Sequence, residues 1–163
     1  MTLSLEEQLV NILIEKNWHI SCAESCTGGL VASRIVNVAN ASKVFDASFV
    51  TYANEAKVKY LGVSPETIEK YGVVSEEVVF EMATGVAKEA DAKVGIAISG
   101  IAGPSGGTEK KPVGMVCFGF YVNGKITTRT CQFGNPGRNE VRSLSTEFAL
   151  KTALDLISNQ ETN

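Results

Sequence analysis

Histidine is nearly missing from this chain: His19 is the one imidazole in 163 residues. A histidine-rich metal site is therefore excluded, and any Ser-His-Asp arrangement must use His19. No run approaches the roughly 20 apolar residues needed to cross a bilayer, so no membrane association is expected. Fifteen basic side chains against eighteen acidic ones give a net charge of -3, with no lysine- or arginine-rich block. That excludes an obvious nucleic-acid footprint. The opening stretch MTLSLEEQLVNILIEK carries acids where a secretory signal would carry bases, which predicts a cytoplasmic protein. Cysteine is sparse too, at positions 22, 26, 117 and 131. Cys22 and Cys26 have a spacing that would interest a metal, but a structural zinc needs four ligands. Free thiols in a reducing compartment are the expectation, with no metal and no cofactor.

What is present has the size of one domain, 1–163, with an ordered core over about 4–158. Hydrophobic residues make up 44% and charged residues 20%, as in an ordinary globular chain. Leu5, Leu9, Ile12 and Leu13 fall at helical spacing over 4–16. WHISCA predicts a strand, Leu30 to Val38 a helix, and Ala47 to Ala53 a second strand. Asn54 is the expected cap of a short helix closed by Gly62, and Ser64-Pro65 the start of another. Ser75 begins a clear amphipathic helix with acids in its first turn. AKVGIAISG is apolar on both sides, as a central covered strand should be. A long glycine-rich loop follows over 100–114. Two strands then flank Asn123-Gly124, a hairpin turn, and a long helix spans about 138–158 before a frayed tail, NQETN. Strands alternating with helices, plus one hairpin, predict an α/β protein. Its expected form is a three-layer α/β/α sandwich with a mixed, largely parallel sheet and a C-terminal β-hairpin.

Three stretches carry reactive residues. In HISCAESCTGGLVASRI, Ser25 falls at a strand end and Thr27, Gly28 and Gly29 open a helix. Backbone amides there can hold an oxyanion or a phosphate, or the hydroxyls can cap the helix while the glycines ease packing. His19 lies six residues upstream, roughly 20 Å along an extended strand, so it cannot serve Ser25 as a base. In FVTYANEAKVK, Tyr52 ends a strand and Lys57 sits in the first part of a helix, where the dipole disfavours an ammonium. Burial would depress its pKa further, which suits a lysine general base; a solvated helix-end charge is the other reading. Cys26 is a poor nucleophile without an imidazole to ionise it. The loop SGIAGPSGGT is neither a Walker A loop nor a dinucleotide fingerprint, yet its amides suit an anion. Ser105 there is a rival nucleophile, since PSGG resembles the glycine-serine loop of another amidase class. Arg138 and Arg142, near the start of the last helix, can clamp a phosphate or pair with Glu140 or Glu147.

AESCTGG (23–29), FVTYANEAK (49–57) and SGIAGPSGGTEKKPVG (99–114) together closely resemble the nicotinamide-nucleotide amidase family, the CinA C-terminal domain, in its stand-alone form. The resemblance covers about residues 5–157. It implies hydrolysis of nicotinamide mononucleotide to nicotinate mononucleotide and ammonia, within pyridine-nucleotide salvage and without a metal. It also implies Ser25 as nucleophile with Lys57 and Tyr52 as a proton relay, and a homodimer. On that reading the amides of Cys26, Thr27, Gly28 or Gly29 hold the oxyanion. Gly103, Ser105, Gly106, Gly107 and Thr108, with Arg138 or Arg142, bind the rest of the nucleotide. The alternative expectation is a catalytically silent nucleotide-binding or assembly module of the same fold.

Overall fold

The computed structural model describes residues 2–160. Ser4 starts helix α1 (Leu5–Lys16) through a full capping box, its hydroxyl accepting from the Glu7 amide while the Glu7 carboxylate accepts from the Ser4 amide. Five strands follow: β1 (Ile20–Glu24), β2 (Phe49–Val50), β3 (Val94–Gly100), β4 (Met115–Val122) and β5 (Lys125–Gln132). They form one sheet in the order β2-β1-β3-β4-β5. The β2-β1-β3 half is parallel, and the Asn123-Gly124 hairpin adds β4 and β5 in antiparallel pairing.

Side-chain alternation along β3 and β4 assigns the two faces. Val94, Ile96, Ile98, Phe118 and Phe120 face α1, α2 (Leu30–Val36) and α6 (Arg138–Asn159). Ala97 and Cys117 face the opposite way, toward α3 (Asn54–Leu61), α4 (Pro65–Tyr71) and α5 (Glu76–Glu89). The result is the expected three-layer α/β/α arrangement with a mixed sheet. The second face is built from small residues for a reason. A methyl group on Gly119 would lie 2.3 Å from the Val79 carbonyl oxygen, and one on Gly95 would lie 2.8 Å from that of Ala83. Helix α5 therefore rests directly on sheet backbone.

Several local expectations are corrected. The strand expected over Ala47–Ala53 shrinks to Phe49–Val50, because side chains replace the backbone ladder before it. The Ser21 hydroxyl donates to the Ala47 carbonyl at 2.6 Å, and the Cys22 amide donates to the Ser48 hydroxyl at 2.9 Å. Ala53, not Asn54, occupies the cap of α3, with no side-chain capping bond. Ser64 does cap α4 by position, but its hydroxyl donates to Glu66 instead. Helix α2 stops at Val36 rather than Val38. Helix α6 runs through Asn159, and residues 161–163 of the expected tail lie outside the described residues.

Because α5 leaves no space for a methyl group at Gly119, Gly119→Ala is expected to destabilise the fold by about 1–3 kcal/mol. Urea unfolding should show a lowered midpoint with an unchanged slope; an unchanged midpoint would mean that α5 is not seated on the sheet as described.

Candidate active site

The parallel half of the sheet sends three chain segments out at the same end. Glu24 pairs with Ile98 on one side and Val50 on the other, so Ser25 and Thr51 leave the sheet together, beside Ser99 near the end of β3. The carboxyl ends of parallel strands are where α/β sheets bind ligands. His19 lies at the other end of β1, its Nδ1 2.6 Å from Asp46 Oδ2, and takes no part.

Ser25 is anchored by its own backbone. Its amide donates to the Ile98 carbonyl at 3.1 Å, and its carbonyl accepts from the Gly28 amide at 3.0 Å, closing a tight turn. That turn needs the two glycines: φ is +57° at Gly28 and +105° at Gly29, a region L side chains rarely adopt. Glu24 holds the turn from inside. This carboxylate is fully buried and accepts from Thr27 Oγ1 at 2.6 Å and from the amides of Gly29, Val31 and Ala32 at 3.0–3.2 Å. Two expectations change as a result. The Gly28 and Gly29 amides are already engaged, and Thr27 is fully buried, so the helix end is not open to an anion. Among the described residues the Cys26 amide has no acceptor within the protein, and Cys26 lines the cavity beside Ser25. Sequence reading gave Glu24 no role. The signal was an acid directly before the turn, where a Ser, Asp or Asn cap is usual within it.

Lys57 is the largest fully buried polar side chain, 1% exposed on the inner side of α3. Its Nζ donates to the Thr51 carbonyl at 2.7 Å and to the Tyr52 carbonyl at 3.2 Å, and stands 3.3 Å from Ser25 Oγ. No carboxylate lies within ion-pair distance among the described residues. Burial pushes its pKa below the usual lysine value of 10.5, partly opposed by the nearby Cys26 thiol. The two carbonyls can only accept. A neutral amine that gives both N–H bonds to them has its lone pair left for the Ser25 hydroxyl proton. Burial also pushes the Cys26 thiol up to about 11, so it stays protonated and unreactive at neutral pH.

Tyr52 is placed differently from the expected relay. Its backbone carbonyl touches Lys57, but its side chain is 62% exposed and the hydroxyl accepts from Arg138 Nη2 at 3.0 Å. Arg138 Nη1 also donates to the Gly103 carbonyl at 2.8 Å, so one guanidinium joins Tyr52 to the glycine-rich loop. These groups rim a cavity of about 340 Å³ that has Ser25 and Lys57 at its base. Ser105 and Gly106 line it; Gly107 and Thr108 do not. Thr108 instead shapes the loop, its amide donating to the Lys111 carbonyl while its hydroxyl accepts from the Lys111 amide. Lys111 in turn donates to the Tyr71 carbonyl. Arg142 also stands apart, its guanidinium spent on the Cys26 and Thr27 carbonyls and on Asn139. A larger groove of about 460 Å³ between α4, α5 and β5 is lined by Glu76, Glu77 and Glu81, and no serine, cysteine or lysine is among its lining residues. Among the described residues no cluster of metal-ligating side chains forms, and no helix is long and apolar enough to span a membrane.

The sign of the Lys57 shift gives a stability test. The native state holds this proton less tightly than the unfolded chain, so the penalty of burying an ammonium is fully present below the depressed pKa. It disappears as pH rises toward 10.5. The stability of the protein relative to a Lys57→Met variant should be flat at low pH and climb through that window. A pH-independent difference in urea unfolding would show that Lys57 is not held as a desolvated amine.

The profile of the CinA C-terminal domain family matches residues 2–157. A CinA-like protein from Kosmotoga olearia is 56% identical over 147 residues, covering 90% of this chain and 35% of that protein. This chain thus spans about a third of the length of such relatives. The nicotinamide-nucleotide amidohydrolase PncC of Enterobacter agglomerans is 52% identical over 140 residues, covering 85% of each. Among solved structures, a CinA superfamily protein from Klebsiella pneumoniae superposes with a TM-score of 0.91 at 35% identity, covering 96% of this chain and 97% of that one. The corresponding protein from Escherichia coli gives 0.90 at 38% identity, with 96% and 94% covered. The shared sheet, the turn at Ser25 and these matches lead to one conclusion: the chain belongs to the CinA C-terminal domain family.

Proposed function

We propose that this protein is a serine amidohydrolase that converts nicotinamide mononucleotide to nicotinate mononucleotide and ammonia. The observation that carries the reading is the 3.3 Å approach of a buried lysine amine to Ser25 Oγ. The name of the Enterobacter agglomerans relative supplies the substrate.

Ser25 Oγ attacks the carboxamide carbon as its proton passes to Lys57. The oxyanion of the tetrahedral intermediate takes the Cys26 amide and, from the facing loop, the amides of Ala102 and Gly103, which have no acceptor among the described residues. Lys57, now an ammonium, returns the proton to the departing nitrogen, and ammonia leaves. Water, deprotonated by the same amine, then attacks the acyl-serine and frees nicotinate mononucleotide, the proton returning to the Ser25 oxygen. Lys57 alone carries the proton, and Tyr52 serves through its carbonyl and through Arg138. The apolar wall of Val73, Val74 and Ile101 suits a flat pyridine ring, while Arg138, with Ser105 and Gly106 at the rim, suits the phosphate. Cytoplasmic location and a homodimer complete this reading.

Ammonia release from nicotinamide mononucleotide tests it. Ser25→Ala should lower kcat by at least about 10³-fold and Lys57→Ala by about 10²–10⁴-fold. In the unaltered protein kcat/KM should rise with pH to a plateau whose midpoint lies below 10.5. Nucleotide binding without ammonia release would instead identify a silent binding module.

Arg138→Ala should raise KM for the mononucleotide roughly tenfold or more, the cost of one charge-assisted contact, yet leave the phosphate-free riboside nearly unaffected. Equal losses for both substrates would move the phosphate away from Arg138.

A further inference from the structure

Glu24 is an anion buried one residue before the nucleophile, and no cation pairs with it among the described residues. Burying an unpaired charge is expensive unless hydrogen bonds replace its water. Here the Thr27 hydroxyl and the Gly29, Val31 and Ala32 amides do so. A seven-residue helix such as α2 needs no such device, because a neutral Ser or Asn cap would satisfy it at far lower desolvation cost. What the carboxylate adds is stiffness and selection. Its bonds span residues 27–32, so they fix the turn that the Ser25-Gly28 bond closes. They also spend the amides that would otherwise compete for a negative charge beside Ser25.

We propose that Glu24 is a positioning residue for the amidase reaction: its buried carboxylate sets the turn that aims Ser25 Oγ at Lys57 and leaves the Cys26 amide as the turn's oxyanion donor. The inference rests on the serine amidase reading above, and it gives Thr27 a defined part, since its hydroxyl is the one side-chain partner of that carboxylate among the described residues. Glu24→Gln keeps the volume but replaces one acceptor oxygen with a donor that faces N–H groups. Ser25 should then be present yet poorly aimed.

The test uses the full chain and two reactions of Ser25. In the first, ammonia release from nicotinamide mononucleotide is measured. In the second, a fluorophosphonate is attacked by Ser25: an O–P bond forms, the P–F bond breaks, fluoride leaves and the serine proton passes to Lys57. The reagent counts reactive sites and reports their rate constant without depending on the natural substrate. For Glu24→Gln, kcat per titrated serine and the phosphonylation rate constant should both fall roughly 10²-fold, with KM within about threefold of the original. A purely structural role predicts fewer titratable sites at an unchanged rate per site, and that result would overturn the proposal. If Glu24→Gln does not fold, Thr27→Val is used instead. It should slow both reactions roughly tenfold per site, and unchanged rates would again overturn the proposal. A parent protein that reacts with the fluorophosphonate but releases no ammonia would count against the substrate reading alone, leaving the Glu24 comparison intact.

Discussion

Lysine at neutral pH is ordinarily a cation, and water ordinarily keeps it one. The structure takes that water away: α3 buries the whole Lys57 side chain, and among the described residues its nitrogen meets two carbonyl oxygens and a serine hydroxyl but no carboxylate. Two acceptors and one potential donor are the complement of an uncharged amine. The main chain at Thr51 and Tyr52 thereby sets the direction of the amine, and burial sets its protonation preference. A carboxylate in place of either carbonyl would have favoured the ammonium and removed the base.

The rest of the architecture holds that amine opposite Ser25. β1 and β2 are parallel neighbours, so the serine turn and the chain entering α3 leave the sheet at the same end. Glu24 secures the turn, and Gly62 closes α3 in a left-handed cap only five residues after Lys57. On the far side of the cavity, Arg138 comes from the start of α6 to meet the glycine-rich loop and Tyr52. Two helices from opposite faces of the sheet, α3 and α6, thus contribute to one small volume.

Much of this was legible in the sequence because it is encoded locally. Strand and helix periodicities marked every major element, and a lysine where an acid is usual marked Lys57. Several of the places that the sequence did not reveal share one cause: a group satisfied by a distant partner. Ser48 replaces a backbone acceptor for Cys22, which shortens β2, and nothing in ASFVTYA announces that. Arg142 and Arg138 are four residues apart on one helix, yet one braces the Cys26 and Thr27 carbonyls and the other reaches the cavity. The Tyr52 hydroxyl turns outward to an arginine 86 positions away in the chain. Glu24 was given no role because the amides it collects belong to the helix that follows.

The antiparallel pairing of β3 with β4 has a consequence for how the cavity can vary. A strand that returns antiparallel begins where its neighbour ended, so the segment between them must hang over the carboxyl end of the sheet. Its base is stitched shut, with Ile101 donating to Met115 and Gly114 donating back to Ile101. Residues can be added or lost beyond that stitch without shifting a single register pair. Ring-sized or bulkier guests are thus admitted by editing the overhang past Gly103, while Ser25, Lys57 and the first amides of the loop keep their places.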